Sequence, residues 1–301
     1  MKYRHFIIPV LFITFFFLPA AASSKTCVVT DQLGRKVVIP DNIRCIVSLA
    51  PSITEILFAL DQGDCVKGVT RFSDFPVEAT KLPKVGTYVH LDLEKIVALK
   101  PDLCIGIKDG NPREVVERLE ALKIPVYVVD PRNLETVMDT ILEIGGLLSA
   151  DQRAKFLVQD MQSRIQRVKS VVAKASHRPR VFFQIGIAPI VSVGTQTFIH
   201  RLIVLAGGEN LTAGPVPYPR FSKEQVLVLS PEVFIITSMA RGEIFERVKA
   251  EWSKWPDLPA IKNGRIFLVN SDILDRPTPR LVDGLEILAG LIHPDLFKEK
   301  Q

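Results

Sequence analysis

Residues 149–175 read SADQRAKFLVQDMQSRIQRVKSVVAKA, and the spacing of their apolar side chains decides the fold. Leu157, Met161, Ile165, Val168, Val172 and Ala175 follow at steps of four, four, three, four and three. Such steps keep side chains on one face of an α-helix, so the segment reads as a helix with a single buried stripe. Ser149 with Gln152 reads as a capping box at its start, each side chain serving an orphan backbone donor of the first turn. About 25 residues at ~1.5 Å each make a rod of roughly 38 Å. The helical texture reaches back to Asn133, since no proline and no strand-like run lies between there and about Ser176.

On both sides of this rod the texture alternates. Residues 28–30 and 36–39 flank a turn holding Gly34 and read as a β-hairpin. Short apolar runs follow at 46–49, 66–69, 103–107 and 126–129, with helical segments between them; Ser52 with Glu55 reads as a second capping box. After the rod the runs resume at 181–186, 234–237 and 266–269. Strand–helix–strand repetition with short apolar strands argues for parallel sheets covered on both faces. The predicted fold is α/β: two doubly wound lobes with mainly parallel sheets, joined by one long rigid helix. Residues 23–132 form the expected N-terminal lobe, 133–178 the helical spine and 179–301 the C-terminal lobe.

The two halves repeat weakly at an offset of 130 residues, LEKIVALKPDL at 93–103 answering KEQVLVLSPEV at 223–233. The same offset pairs Tyr88 with Tyr218 and Glu94 with Glu224. Two related lobes facing each other would set one tyrosine and one glutamate on each side of a cleft.

The first residues bear on compartment. Lys2 and Arg4 precede an uncharged, Phe-rich run at 6–18, and Ala20, Ala21 and Ala22 then supply the small residues that signal peptidase reads. That run is shorter than the ~20 residues a bilayer span needs. Residues 1–22 are therefore expected to be a cleaved signal peptide and the mature chain to reside in the periplasm. Removing them takes two of the 38 basic residues and none of the 33 acidic ones, leaving +3, too small a charge to indicate nucleic acid. Cys27, Cys45, Cys65 and Cys104 all lie in the first 104 residues. In an oxidising compartment they permit three full disulfide pairings, and the apolar runs around the last three fit buried thiols equally well.

Catalytic signatures are missing: the chain has no G-x-S-x-G elbow, no glycine-rich phosphate loop, no C-x-x-C and no H-E-x-x-H. His90, His177, His200 and His293 are too scattered for a zinc or manganese site, and His90 reads as a solvated loop residue. No catalysis, no metal site and no resident cofactor are expected. The candidate residues instead suit a binding surface. Phe72, Tyr88 and Tyr218 sit on loops stiffened by proline or glycine, where a ring gives a flat wall at little entropic cost. Residues 271–280 follow the last strand and carry Asp272, Ile273, Leu274, Asp275 and Arg276 at the end of the sheet where α/β proteins bind ligands. Glu94 and Glu224 open helices, where an acid complements the helix dipole; as a matched pair on one rim they equally suit docking to basic residues of a partner.

Residues 44–69, 93–105 and 255–265 resemble the substrate-binding proteins of ABC importers for siderophores, haem and cobalamin, over roughly residues 27–297. The resemblance implies two α/β lobes bridged by a rigid helix, the class III periplasmic binding protein arrangement, acting as a monomer beside inner-membrane permease subunits. Residues 72–76, 184–189, 216–219, 222–225 and 271–280 make it most similar to members that carry cobalamin. By position, Glu94 and Glu224 match glutamates that engage permease arginines. Phe72, Tyr88, Ile107, Ile185 and Tyr218 match pocket-wall positions, and Asp272, Ile273, Leu274, Asp275 and Arg276 a pocket-rim segment. Tyr88, Tyr218 and Ile107 stand where those relatives have tryptophan, and Ile185 where they have phenylalanine. The implied cargo is cobalamin or a related corrinoid, with a ferric siderophore or haem as the alternative.

Overall fold

The computed structural model describes residues 25–237 and 243–297, with the backbone alone at 243–245. The signal-peptide segment 1–22 lies outside the described residues. β1 (Thr26–Thr30) and β2 (Lys36–Pro40) pair antiparallel, with Gly34 at φ +76° in their turn. Then come β3 (Ile46–Ser48), α1 (Pro51–Ala59), β4 (Val66–Gly68), α2 (Leu93–Ala98), β5 (Leu103–Ile107), α3 (Arg113–Ala121) and β6 (Val126–Val129). α4 (Leu134–Leu147) and α5 (Asp151–Val172) separate this half from the next. The second half runs β7 (Arg180–Gln184), β8 (Ile190–Val191), α6 (Phe198–Leu205), β9 (Glu209–Asn210), β10 (Arg220–Phe221), α7 (Lys223–Leu229), β11 (Val233–Ile236), α8 (Glu243–Trp252), α9 (Pro259–Lys262), β12 (Ile266–Leu268), α10 (Leu281–Ile292) and α11 (Pro294–Phe297).

Each half holds a four-stranded parallel sheet, ordered β4-β3-β5-β6 and β9-β7-β11-β12. Counted along the chain both orders are second, first, third, fourth, so the lobes share one topology. The 130-residue offset reappears in the backbone. α2 and α7 begin at Leu93 and Lys223, capped by the side chains of Asp92 and Ser222. Lys100 and Ser230 both turn through the left-handed region, at φ +48° and +46°. Asp102 accepts the Cys45 N–H at 2.9 Å and Glu232 accepts the Arg180 N–H at 2.7 Å, each carboxylate fastening the segment that leads into the neighbouring first strand.

α5 has 22 residues and spans about 33 Å. Its buried face is Ala154, Val158, Met161, Ile165 and Val168. Met161, Ile165 and Val168 are the predicted stripe; Ala154 and Val158 extend it, while Leu157 and Val172 are half-buried at its margin and Ala175 lies beyond the helix. α5 packs against both α4 and α10, which turns its inner face slightly from the predicted one. Arg153 Nε donates to the Ala59 carbonyl at 2.9 Å in the first lobe. Arg164 grips Asp283 and Glu286 of α10 at 2.6 and 2.5 Å in the second. Such half-exposed pairs add little stability and chiefly fix geometry.

Two expected caps are not made. Ser149 sits at φ +56°, turning the chain from α4 into α5, and Ala150 takes the cap position without a side-chain bond. α1 starts at Pro51, the favoured first-turn place for proline, so Ser52 lies inside it and Glu55 is turned elsewhere. All four cysteines are free thiols: Cys27 exposed, Cys45 and Cys65 half-buried, Cys104 buried. Burial pushes the Cys104 thiol up to about 12.

Candidate functional site

The loops leaving the C-terminal ends of the two parallel sheets carry the candidate binding residues, the position at which α/β sheets take up ligands. Phe72 and Tyr88 follow β4, Ile107 ends β5, Ile185 follows β7, Tyr218 follows β9, and 272–276 follow β12. One buried side chain assembles the first-lobe part. Asn111 accepts the Ile107 N–H at 2.8 Å and donates to the carbonyls of Leu49 and Tyr88, each at 2.8 Å. It therefore ties the end of β5, the turn after β3 and the Tyr88 loop into one piece. Beside it Gly110 lies at φ +138°, and a Cβ there would come within 2.8 Å of the Tyr88 ring, so the ring rests on bare backbone.

The second-lobe part reaches across. Arg276 Nη1 donates to Glu55 at 3.0 Å and to Asp74 at 2.9 Å, while Nη2 donates to the Phe72 carbonyl at 3.2 Å and pairs with Asp272 at 2.9 Å. Arg280 grips both oxygens of Glu55, Nε at 2.8 Å and Nη2 at 2.7 Å. Its guanidinium also stands 3.9 Å from the centre of the Phe75 ring. Glu55 is 3% exposed, and among the described residues its carboxylate is bonded by these two arginines of the opposite lobe. Burial opposes the Arg276 charge, but the bonds to Asp74 and Glu55 outweigh it and hold the guanidinium above its ordinary value.

The model of periplasmic binding proteins matches residues 46–273. The chain belongs to the periplasmic binding protein family. It is 34% identical over 248 residues to the vitamin B12-binding protein of Vibrio vulnificus, covering 81% of this chain and 88% of that one. The structure of the periplasmic vitamin B12-binding protein of Vibrio cholerae superposes with a TM-score of 0.73 at 30% identity, covering 85% of this chain and 99% of that one. A periplasmic haem-binding protein from Pseudomonas aeruginosa gives 0.76 at 27% identity, covering 84% and 93%.

In this periplasmic binding protein Phe72 and Tyr218 remain 49% and 57% exposed, open to a ligand. Tyr88, Ile107, Ile185 and Ile273 are half-buried against the core. Leu274, by contrast, is fully buried and packs where Gly284 leaves room beneath the rim. Glu94 and Glu224 are exposed, one on the first turn of α2 and one on that of α7. The Ser222 hydroxyl and the backbone of that turn hold the Glu224 carboxyl below its usual range. His90 is exposed in its loop, and among the described residues no group of three or more His, Cys, Asp or Glu side chains is placed to hold a metal ion.

Glu55, Asn111 and Arg280 were not singled out from sequence as site residues. Glu55 had a local explanation as a helix cap, although a lone acid inside the apolar run ITEILFAL was a signal. Arg280 lies four residues past Arg276, the end of the expected rim segment.

Asp275 is exposed to solvent beside Asp272 and Arg276. Partial loss of hydration and the neighbouring Asp272 push its carboxyl up to about 7, against the pull of Arg276. Tyr218 is pushed up as well, by burial of its hydroxyl and then by Asp275 and Asp109. Because the folded state holds the Asp275 proton more tightly than the unfolded state, this group's contribution falls as pH rises between about 4 and 7. Asp275→Asn is expected to remove that slope and to stabilise the protein at pH 8 by ~1 kcal/mol, the figure being discounted for solvent contact. Urea unfolding at pH 5 and pH 8 checks it; parallel shifts at both pH values would show that Asp275 titrates normally.

Proposed function

We propose that this protein is the substrate-binding component of an ABC importer, capturing cobalamin or a related corrinoid between its lobes and presenting it to an inner-membrane permease. Phe72, Tyr88, Ile107, Ile185 and Tyr218 form the apolar walls, and Asp272, Ile273, Asp275 and Arg276 the rim. The periplasm is the compartment in which such a carrier works, and the 1–22 leader is the route there. Glu94 and Glu224 are the permease-docking pair.

The observation that carries the cargo assignment is the charge of the interlobe cluster. Four carboxyl groups, Glu55, Asp74, Asp272 and Asp275, surround two guanidiniums, and Arg276 is already engaged by three of them. An anionic ferric siderophore, or haem with its two propionates, would meet excess negative charge and no guanidinium free to receive it in this cluster. A corrin ring edged with neutral amides offers apolar faces to the rings and N–H donors to the carboxylates. The vitamin B12-binding relatives support the same reading.

Calorimetric titration of the mature chain with cyanocobalamin, haem and a panel of ferric siderophores tests it. Cyanocobalamin is expected to bind at least tenfold more tightly than any anionic ligand, a difference of about 1.4 kcal/mol or more. Tight siderophore binding without heat from any corrinoid would overturn the assignment.

A further inference from the structure

Among the described residues one buried group has no role in the walls or in docking, yet holds more interlobe bonds than any wall residue. Glu55 projects from α1 of the first lobe and is 3% exposed. Both its oxygens are occupied by Arg280, one of them by Arg276 as well, and both arginines belong to the loop after β12 of the second lobe. Arg276 extends the connection to Asp74 and to the Phe72 carbonyl, so the loop at 70–76 and the segment at 271–280 are held together by bonds within the chain. The hydroxyls beneath this point are also paired: Thr54 donates to Ser73 at 2.9 Å, and Ser73 bonds Thr70 at 3.0 Å.

We propose that Glu55 is a positioning residue for cargo binding: it tethers the rim segment of the second lobe to the first lobe, so that the cleft is assembled before the ligand arrives. A carboxylate is required for this. It must accept from two guanidiniums at once, and as a buried charge it is stable only while they stay in place. The opposite lobe is thereby bound to one arrangement, since sliding it would strand the Glu55 charge away from water. Preassembly lowers the ordering cost of binding and slows ligand escape. The tether itself is independent of cargo identity; only its effect on escape rests on the corrinoid reading.

Hydrogen-exchange mass spectrometry on the unliganded mature chain tests this. Glu55→Gln is expected to speed amide exchange on the order of tenfold at both 70–76 and 271–280, with α10 and the central strands of the second lobe unchanged. Glu55→Asp, which keeps the charge on a shorter stem, should restore part of the protection. A role confined to folding of the first lobe would instead raise exchange in α1 and β3 and leave 271–280 as before, and that result overturns the proposal. Should Glu55→Gln fail to fold, Arg280→Lys together with Arg276→Lys keeps both positive charges but leaves only single-donor contacts to Glu55 in place of the guanidinium forks, and it should loosen the same two segments; unaltered exchange there is equally fatal. In the same variants cyanocobalamin dissociation is expected to be about tenfold faster. If the parent protein binds no cyanocobalamin, the cargo reading fails while the exchange data still decide the tether.

Discussion

In reconstituted vesicles the double variant Glu94→Ala, Glu224→Ala is expected to deliver cargo about two orders of magnitude more slowly than the parent, with cyanocobalamin affinity within about twofold. The two glutamates occupy equivalent places on lobes of equal topology, 130 residues apart, exposed on the first turns of α2 and α7. Neither is bonded to the walls or to the Glu55 cluster in any described contact, so their loss leaves the pocket intact. Close charge pairs at interfaces couple by about 1.5 kcal/mol or more, and losing two of them accounts for a hundredfold effect. Vesicle uptake and calorimetry together check this. A collapse of affinity alongside transport would move the glutamates into the pocket or the fold, and unchanged transport would leave them as dipole-complementing residues only.

The second large effect is expected at Asn111, which is 8% exposed. Asn111→Ala strands the Ile107 N–H and the carbonyls of Leu49 and Tyr88 where water scarcely reaches. Three lost bonds at ~1 kcal/mol each predict a loss of about 3 kcal/mol of unfolding free energy in urea. Binding should weaken on the order of tenfold, because Tyr88 and Ile107 would no longer be fixed to one another. Asn111→Asp retains the acceptor for Ile107 but turns a buried carboxylate oxygen onto two carbonyl oxygens, so it should destabilise at least as much as Asn111→Ala. Equal stability of Asn111→Ala and the parent would show that these groups find other partners.

Much of the architecture was legible from residue pattern alone. The strands showed as short apolar runs because both faces of each parallel sheet are covered, and the repeat showed because the lobes share helix caps, the left-handed turn at Lys100 and Ser230 and the strand starts that follow. The caps at Ser149 and Ser52 failed for a common reason. A capping box is a spacing of two residue types, and it forms only where the chain enters the helix at that residue; Ser149 is consumed by the turn from α4, and Pro51 advances the start of α1. The tilt of the α5 stripe was likewise invisible, since two helices press on it from different sides.

What sequence by itself determined, then, is the alternation, the long connecting helix and the family, together with the loops that carry the candidate residues. These follow from periodicity and short-range chemistry, which a linear reading contains. Only the tertiary structure decided that Leu274 is packing, that Asn111 binds three loops together and that Glu55 is the interlobe tether. Glu55 and Arg280 are separated by 225 residues. Whether an acid in an apolar run caps its own helix or neutralises a distant arginine depends on which charge the fold brings within 3 Å, and no local pattern carries that distance.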